Sequence, residues 1–97
     1  MAKQKLRKWD SAEHLRTEED VAAYLDAALQ EAGDDPTFVA YALGVIARAR
    51  GMSQLSLDTG LGRESLYKAL SGDSNPSLGT VLKVVKALGL RLHASAG

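Results

Sequence analysis

The densest set of groups able to bond another molecule lies in the stretch Gly-Arg-Glu-Ser-Leu-Tyr-Lys at residues 62–68. On a helix opening at Arg63, Leu66 and Ala69 turn inward, which leaves Arg63, Glu64, Ser65, Tyr67 and Lys68 in solvent. A guanidinium at Arg63 matches the paired acceptors of a guanine edge, and Ser65 and Tyr67 suit base or phosphate contacts. Lys68 suits phosphate, and Glu64 either accepts from a cytosine amine or orients Arg63. The plain alternative is an ordinary solvated face, or one whose partner is a protein. Catalytic chemistry finds no such concentration. The two histidines, His14 and His93, stand far apart, there is no cysteine, and no HExxH pattern or phosphate-cradling glycine loop occurs. No catalytic residue, metal site or cofactor is therefore expected, and the chain reads as a non-enzyme.

To present that face, the chain must first form a tight pair of short helices. Ser56 is small where two helices approach, Gly60 four residues later suits a left-handed turn, and Leu61 closes it. Leu66 and Ala69 then face inward. Two short helices joined in this way form a helix-turn-helix, whose second helix enters the DNA major groove while the first crosses the backbone. The motif is expected at about 53–71, with Ser53 capping the first helix and Leu55 and Thr59 facing inward.

The remaining elements also follow helical periodicity between glycine and proline breaks. Trp9 anchors a short helical turn at 10–15. Thr17 and Asp20 have capping-box spacing, and Val21, Leu25, Ala28 and Leu29 recur until Gly33. Asp35 before Pro36 opens the next helix, whose stripe of Val39, Ala42, Leu43, Ile46 and Ala49 runs to Arg50 before Gly51. The second short helix buries Leu66, Ala69 and Leu70. After a loop at 71–76, a last helix from Ser77 is expected to bury Leu78, Val81, Leu82 and Val85. Leu90, Leu92 and Ala94 alternate with Arg91 and His93 as in a short strand or extended tail, which needs a partner such as its own copy in a dimer.

The chain has 97 residues, 45% of them apolar, which suits one all-α domain. Twelve basic and twelve acidic side chains cancel, but their distribution is polarised. Residues 1–16 carry five basic and two acidic groups, 17–37 carry seven acidic and no basic, and 38–97 carry seven basic and three acidic. The acidic block is either a solvated helix face or a surface for a basic partner. No run approaches the roughly 18 consecutive apolar residues of a membrane span, and the N-terminus lacks an apolar signal segment, so a soluble cytoplasmic protein with no membrane partner is expected.

The string GMSQLSLDTGLGRESLYKALSGDSNPSLGTVLKVVKALGL resembles the Cro/cI-type (Xre) helix-turn-helix domain, which implies a five-helix, lambda-repressor-like, DNA-binding fold over 36–89. The ordered set WDSAEHL, EEDVAAYLDAAL, IARARGMSQ, RESLYKALSG and NPSLGTVLKVVKALGL resembles, more narrowly, the HigA-like addiction-module antidotes. That resemblance implies an antitoxin that neutralises a RelE/HigB-type toxin and represses its own operon as a homodimer on operator DNA. It carries DNA contacts onto Arg63, Glu64, Ser65, Tyr67 and Lys68, with Gln54 and Asn75 as backbone anchors. Toxins of this type are basic, so Glu18, Glu19, Asp20, Asp26 and Glu31, in a helical extension at 9–33, are the expected toxin contacts. Leu90, Leu92 and Ala94, in the tail at 90–97, are the expected dimer contact. Three positions depart from the broader pattern. Gln54 stands two residues nearer the turn than the usual glutamine, Gly62 replaces a Ser or Thr cap at a deficit of a few tenths of a kcal/mol, and Asp73 occupies a loop position where a basic residue is common. A regulator without a toxin, or an interaction module that has lost DNA binding, remains the alternative.

Overall fold

The computed structural model describes residues 15–96, and the regular structure among them is entirely helical. The order is α1 (Glu18–Ala32), α2 (Pro36–Arg50), α3 (Met52–Thr59), α4 (Arg63–Ala69) and α5 (Leu78–Ala87). The turn expected at 10–15, with Trp9 and His14, falls outside the described residues except for Leu15, which is buried in the core.

α1 opens with the capping box that its sequence predicts. Thr17 Oγ1 accepts from the Asp20 amide at 3.0 Å, and the Asp20 carboxylate accepts from the Thr17 amide at 3.3 Å, so two orphan donors of the first turn are satisfied. Val21, Tyr24, Leu25 and Ala28 form its buried stripe. Leu29, expected among them, is 39% exposed. It sits roughly a quarter-turn from the centre of the stripe, and Tyr24 fills the inward position instead.

α2 is the central helix. Asp35 accepts from the Thr37 amide at 3.0 Å and Pro36 stands in the first turn, as expected of a capped start. Seven of its residues, from Ala40 to Ala47, are buried, including Gly44 and Val45 beside the expected Ala42, Leu43 and Ile46. Val39 and Ala49 are only partly covered. Helices that bury most of their circumference lie inside a core rather than along its edge.

A single residue both ends α2 and starts α3. Gly51 adopts φ +106°, its amide donates to Ala47 O at 2.8 Å, and its carbonyl accepts from the Leu55 amide at 3.2 Å. The expectation that Ser53 caps α3 is therefore corrected: the helix begins at Met52 with no side-chain cap, and Ser53 is an exposed residue within it. Burial of Met52 draws the chain into the helix before Ser53 is reached. α3 packs on α2, α4 and α5, which makes it the hub that relates the last three elements.

Ser77 caps α5, accepting from the Thr80 amide at 3.1 Å. The inward stripe is Val84, Val85 and Leu88, with Val81 partly covered. Leu78 and Leu82, expected inside, are 69% and 47% exposed. The helix carries two overlapping apolar stripes that share Val81 and Val85 and differ by roughly 60° in phase, and the one completed by Val84 and Leu88 takes the core. Beyond it, the Leu90 amide donates to Val85 O at 3.1 Å and the side chain is half-buried. Residues 91–96 form neither helix nor strand, so of the two forms expected for the tail the strand is absent among the described residues. No helix among them is long and apolar enough to cross a membrane.

Candidate nucleic-acid interface

The hydrogen bonds around the turn between α3 and α4 explain why so short a connection holds its shape. Gly60 adopts φ +76° and its amide donates to Ser56 O at 2.9 Å. Ser56 Oγ donates to Leu61 O at 2.6 Å. Thr59 Oγ1 donates to Leu55 O at 2.8 Å and accepts from the Leu61 amide at 3.2 Å. Ser56 thus supplies a hydrogen bond as well as the small size its position requires.

α4 is only seven residues long, and Leu66 is its buried residue. Arg63, Glu64, Ser65, Tyr67 and Lys68 are all exposed, so the structure places the five predicted residues together around one outward surface. At about 100° per residue, Glu64 and Lys68 lie opposite Leu66, Arg63 and Tyr67 share one flank, and Ser65 takes the other. A helix this short does not persist unaided. Its orientation comes from both ends.

At the C-terminal end, α2 forms a seat. A Cβ placed on Gly44 would overlap the Leu70 carbonyl oxygen, so only glycine lets that carbonyl come so close to the α2 backbone. One turn earlier on α2, the Tyr41 side chain lies against Gly72, where an added Cβ would stand 3.2 Å from Tyr41 Cβ. The hydroxyls of Ser71 and Ser74 both donate to Lys68 O, at 3.1 and 2.9 Å, and satisfy a carbonyl orphaned by the helix end. No periodicity or motif in the sequence marks Gly44, Tyr41, Ser71 or Ser74 for this role. The one available signal was Gly44 itself, a residue that costs roughly 0.5–1 kcal/mol inside a helix relative to alanine.

The N-terminal end is less well held, because Gly62 makes no side-chain cap hydrogen bond. Its φ of −65° and ψ of 152° suit any residue, and an added Cβ meets nothing within 4 Å. Gly62→Ser is expected to stabilise the chain by a few tenths of a kcal/mol, visible as a rise of roughly 2 °C in melting temperature. A fall would show that this end of α4 is held by something other than its cap.

The two expected anchors differ in setting. Gln54 is exposed, but its Nε2 donates to Asp58 Oδ1 at 2.9 Å along α3, so its amide is already engaged beside a carboxylate. Asn75 is exposed in the loop, next to Ser74 that ties the loop to α4. Asp73 is exposed in the same loop, its amide donating to Ser71 Oγ at 3.1 Å.

The acidic residues of α1 do not act as one set. Asp20 is committed to the capping box, and Asp26 accepts from Gln30 Nε2 at 3.0 Å. Glu18, Glu19 and Asp26 line a groove shared with Leu90 and Leu92, whereas Asp20, Glu31 and Ala94 lie outside its lining. The fold thereby joins parts of two groups that the sequence had kept separate. Among the described residues no group of three His, Cys, Asp or Glu side chains could hold a metal ion.

Among the described residues these observations define an all-helical fold with a mixed-charge polar surface on a short helix seated against a glycine of the central one. The family described as "Probable addiction module antidote protein" matches residues 5–96. The chain is 52% identical over 90 residues, 93% of its own length and 91% of the relative's, to an uncharacterized protein of Haemophilus influenzae. No solved structure matches. The chain belongs to the family of probable addiction module antidote proteins, which implies a toxin partner of some kind.

Proposed function

We propose that this protein is the antidote of a toxin–antitoxin module, neutralising a RelE/HigB-type toxin and repressing its own operon as a homodimer. In this reading α3 and α4 form a helix-turn-helix of Cro/cI type, and α4 enters the major groove. The observation that carries it is the joint exposure of Arg63, Glu64, Ser65, Tyr67 and Lys68 around one helix whose opposite side is pinned by Leu66. Arg63 reads a guanine edge, Lys68 holds phosphate, and Ser65 and Tyr67 bond whichever they reach. Glu64 sets the side chain of Arg63 or accepts from cytosine. The acidic face of α1 meets the basic toxin.

The test is binding to the promoter DNA of its own gene and to random DNA of equal length. Arg63→Ala should cost roughly 1–3 kcal/mol on the promoter and little on random DNA, and Lys68→Ala should weaken both alike. Affinity should also fall with salt by about 0.9 log units per log unit for each phosphate neutralised. Equal losses on both DNAs for both variants would place the reading face elsewhere. The engagement of Gln54 by Asp58 favours a second reading, a protein-interaction module without DNA binding, and absence of salt-sensitive binding to either DNA would select it. Growth of cells expressing the small protein encoded beside this gene, with and without this chain, tests the antidote role directly.

A further inference from the structure

The groove between α1 and the C-terminal tail has a volume of about 750 Å³ and is lined by residues 18–30 on one side and 89–95 on the other. At the start of the tail the Glu18 side chain reaches across the groove: a Cβ on Gly89 would stand 2.8 Å from its carboxylate. The Leu90 amide bond to Val85 O fixes the same point from the core side. Leu25 lies buried in the lining, while Leu29 and Leu92 keep 39% and 43% of their surface exposed. The α1 wall bears Glu18, Glu19 and Asp26, and α1 as a whole has five carboxylates and no basic residue.

Resting on the antidote reading above, we propose that this groove seats one segment of the toxin, with an apolar side chain placed between Leu29 and Leu92 and Lys or Arg residues against the α1 wall. Apolar contact at the centre with charge pairing at the rim is how such surfaces gain both affinity and register. Charge selects this occupant over a second copy, because two copies joined through α1 would set carboxylate against carboxylate. The tail then serves as the other wall of the toxin site, and Arg91 in its lining steers the segment's basic residues toward the α1 carboxylates.

The probe is the small protein encoded beside this chain's gene, titrated into the full chain by calorimetry. Leu29→Arg and Leu92→Arg should each weaken binding about tenfold or more, while Leu78→Arg, on exposed α5, should change it less than about twofold. Glu19→Lys with Asp26→Lys supplies a charge arm that leaves the leucines in place, and should weaken binding similarly. Melting temperature should stay near wild type in all of these, and promoter affinity in Leu29→Arg and in the Glu19→Lys, Asp26→Lys pair. Toxin binding by wild type that every groove variant retains would overturn the proposal and leave the antidote reading standing. Failure of wild type to bind or neutralise that protein would remove the antidote reading itself, and the proposal with it. A change of oligomeric state on ultracentrifugation, specific to the groove variants, would reassign the groove to a second copy and overturn the proposal.

Discussion

Gly44→Ala is expected to lower stability by about 3 kcal/mol, the upper end of what overpacking a filled interior costs, and melting temperature by roughly 12–20 °C. In an exposed helix the same change stabilises, because alanine restricts the unfolded chain more than glycine does. The sign reverses here because the added methyl group would overlap the Leu70 carbonyl oxygen, a backbone atom without a rotamer to escape into. Leu70 closes α4, and its own side chain is 1% exposed in the core, so it can withdraw only by pulling the end of α4 away from α2. Gly79→Ala is the matched control. Gly79 lies in α5, and its added Cβ meets only Ser77 Oγ at 3.8 Å, so a gain of about 0.5 kcal/mol is expected. Urea unfolding of the two variants beside wild type reads both signs. A loss below about 1 kcal/mol for Gly44→Ala would mean that α2 and the end of α4 separate cheaply, and that the seat does not set the direction of α4.

Most of the helical framework was legible because its signals are local. Thr17 with Asp20, and Asp35 with Pro36, state where helices begin through hydrogen bonds made within three residues. Gly33, Gly51, Gly60 and Gly89 state where they end through positive φ. Inward phase was harder to read. α5 has apolar residues at 78, 81, 82, 84, 85 and 88, enough for more than one stripe, and only the position of α3 and the core decides that Val84 and Leu88 enter while Leu78 and Leu82 do not. Ser53 failed for a related reason. Its type favours a cap, but burial of Met52 one position earlier had already committed the backbone to helix.

The polar residues of α4 were legible for the same local reason, since one inward leucine in a helical stretch leaves its neighbours outside. The parts that hold α4 in place were not. The Gly44–Leu70 approach joins residues 26 apart in sequence, and the Tyr41–Gly72 contact joins residues 31 apart. Neither leaves a periodic trace. The groove shows the same limit, because Glu18 and Gly89 stand at opposite ends of the described chain and only folding sets them side by side.

Two substitutions on adjacent residues separate the framework from the surface it presents. Leu66 is fully buried and is the buried residue of a seven-residue helix, so Leu66→Ala removes the main apolar hold on α4. A loss of about 2–5 kcal/mol is expected, covering the lost transfer energy and the cavity left behind. With a total stability of about 5–15 kcal/mol for a folded domain, such a loss should also weaken protection of the α4 amides from hydrogen exchange before the rest of the core yields. Tyr67→Ala, one residue away and 45% exposed in the starting side chain, should cost within about 1 kcal/mol of stability. Its effect should fall instead on promoter DNA, as a loss of affinity in a protein that melts almost as wild type does. Leu66→Ala should lose both together, and adding a stabilising osmolyte should recover part of its DNA affinity but none of that lost by Tyr67→Ala. If Tyr67→Ala melts as early as Leu66→Ala, its ring is part of the core and the outward face must be drawn without it. If Tyr67→Ala keeps both stability and DNA affinity, the reading surface narrows to the Glu64 and Lys68 side of α4, and Arg63, which shares the flank of Tyr67, loses its assigned role as well.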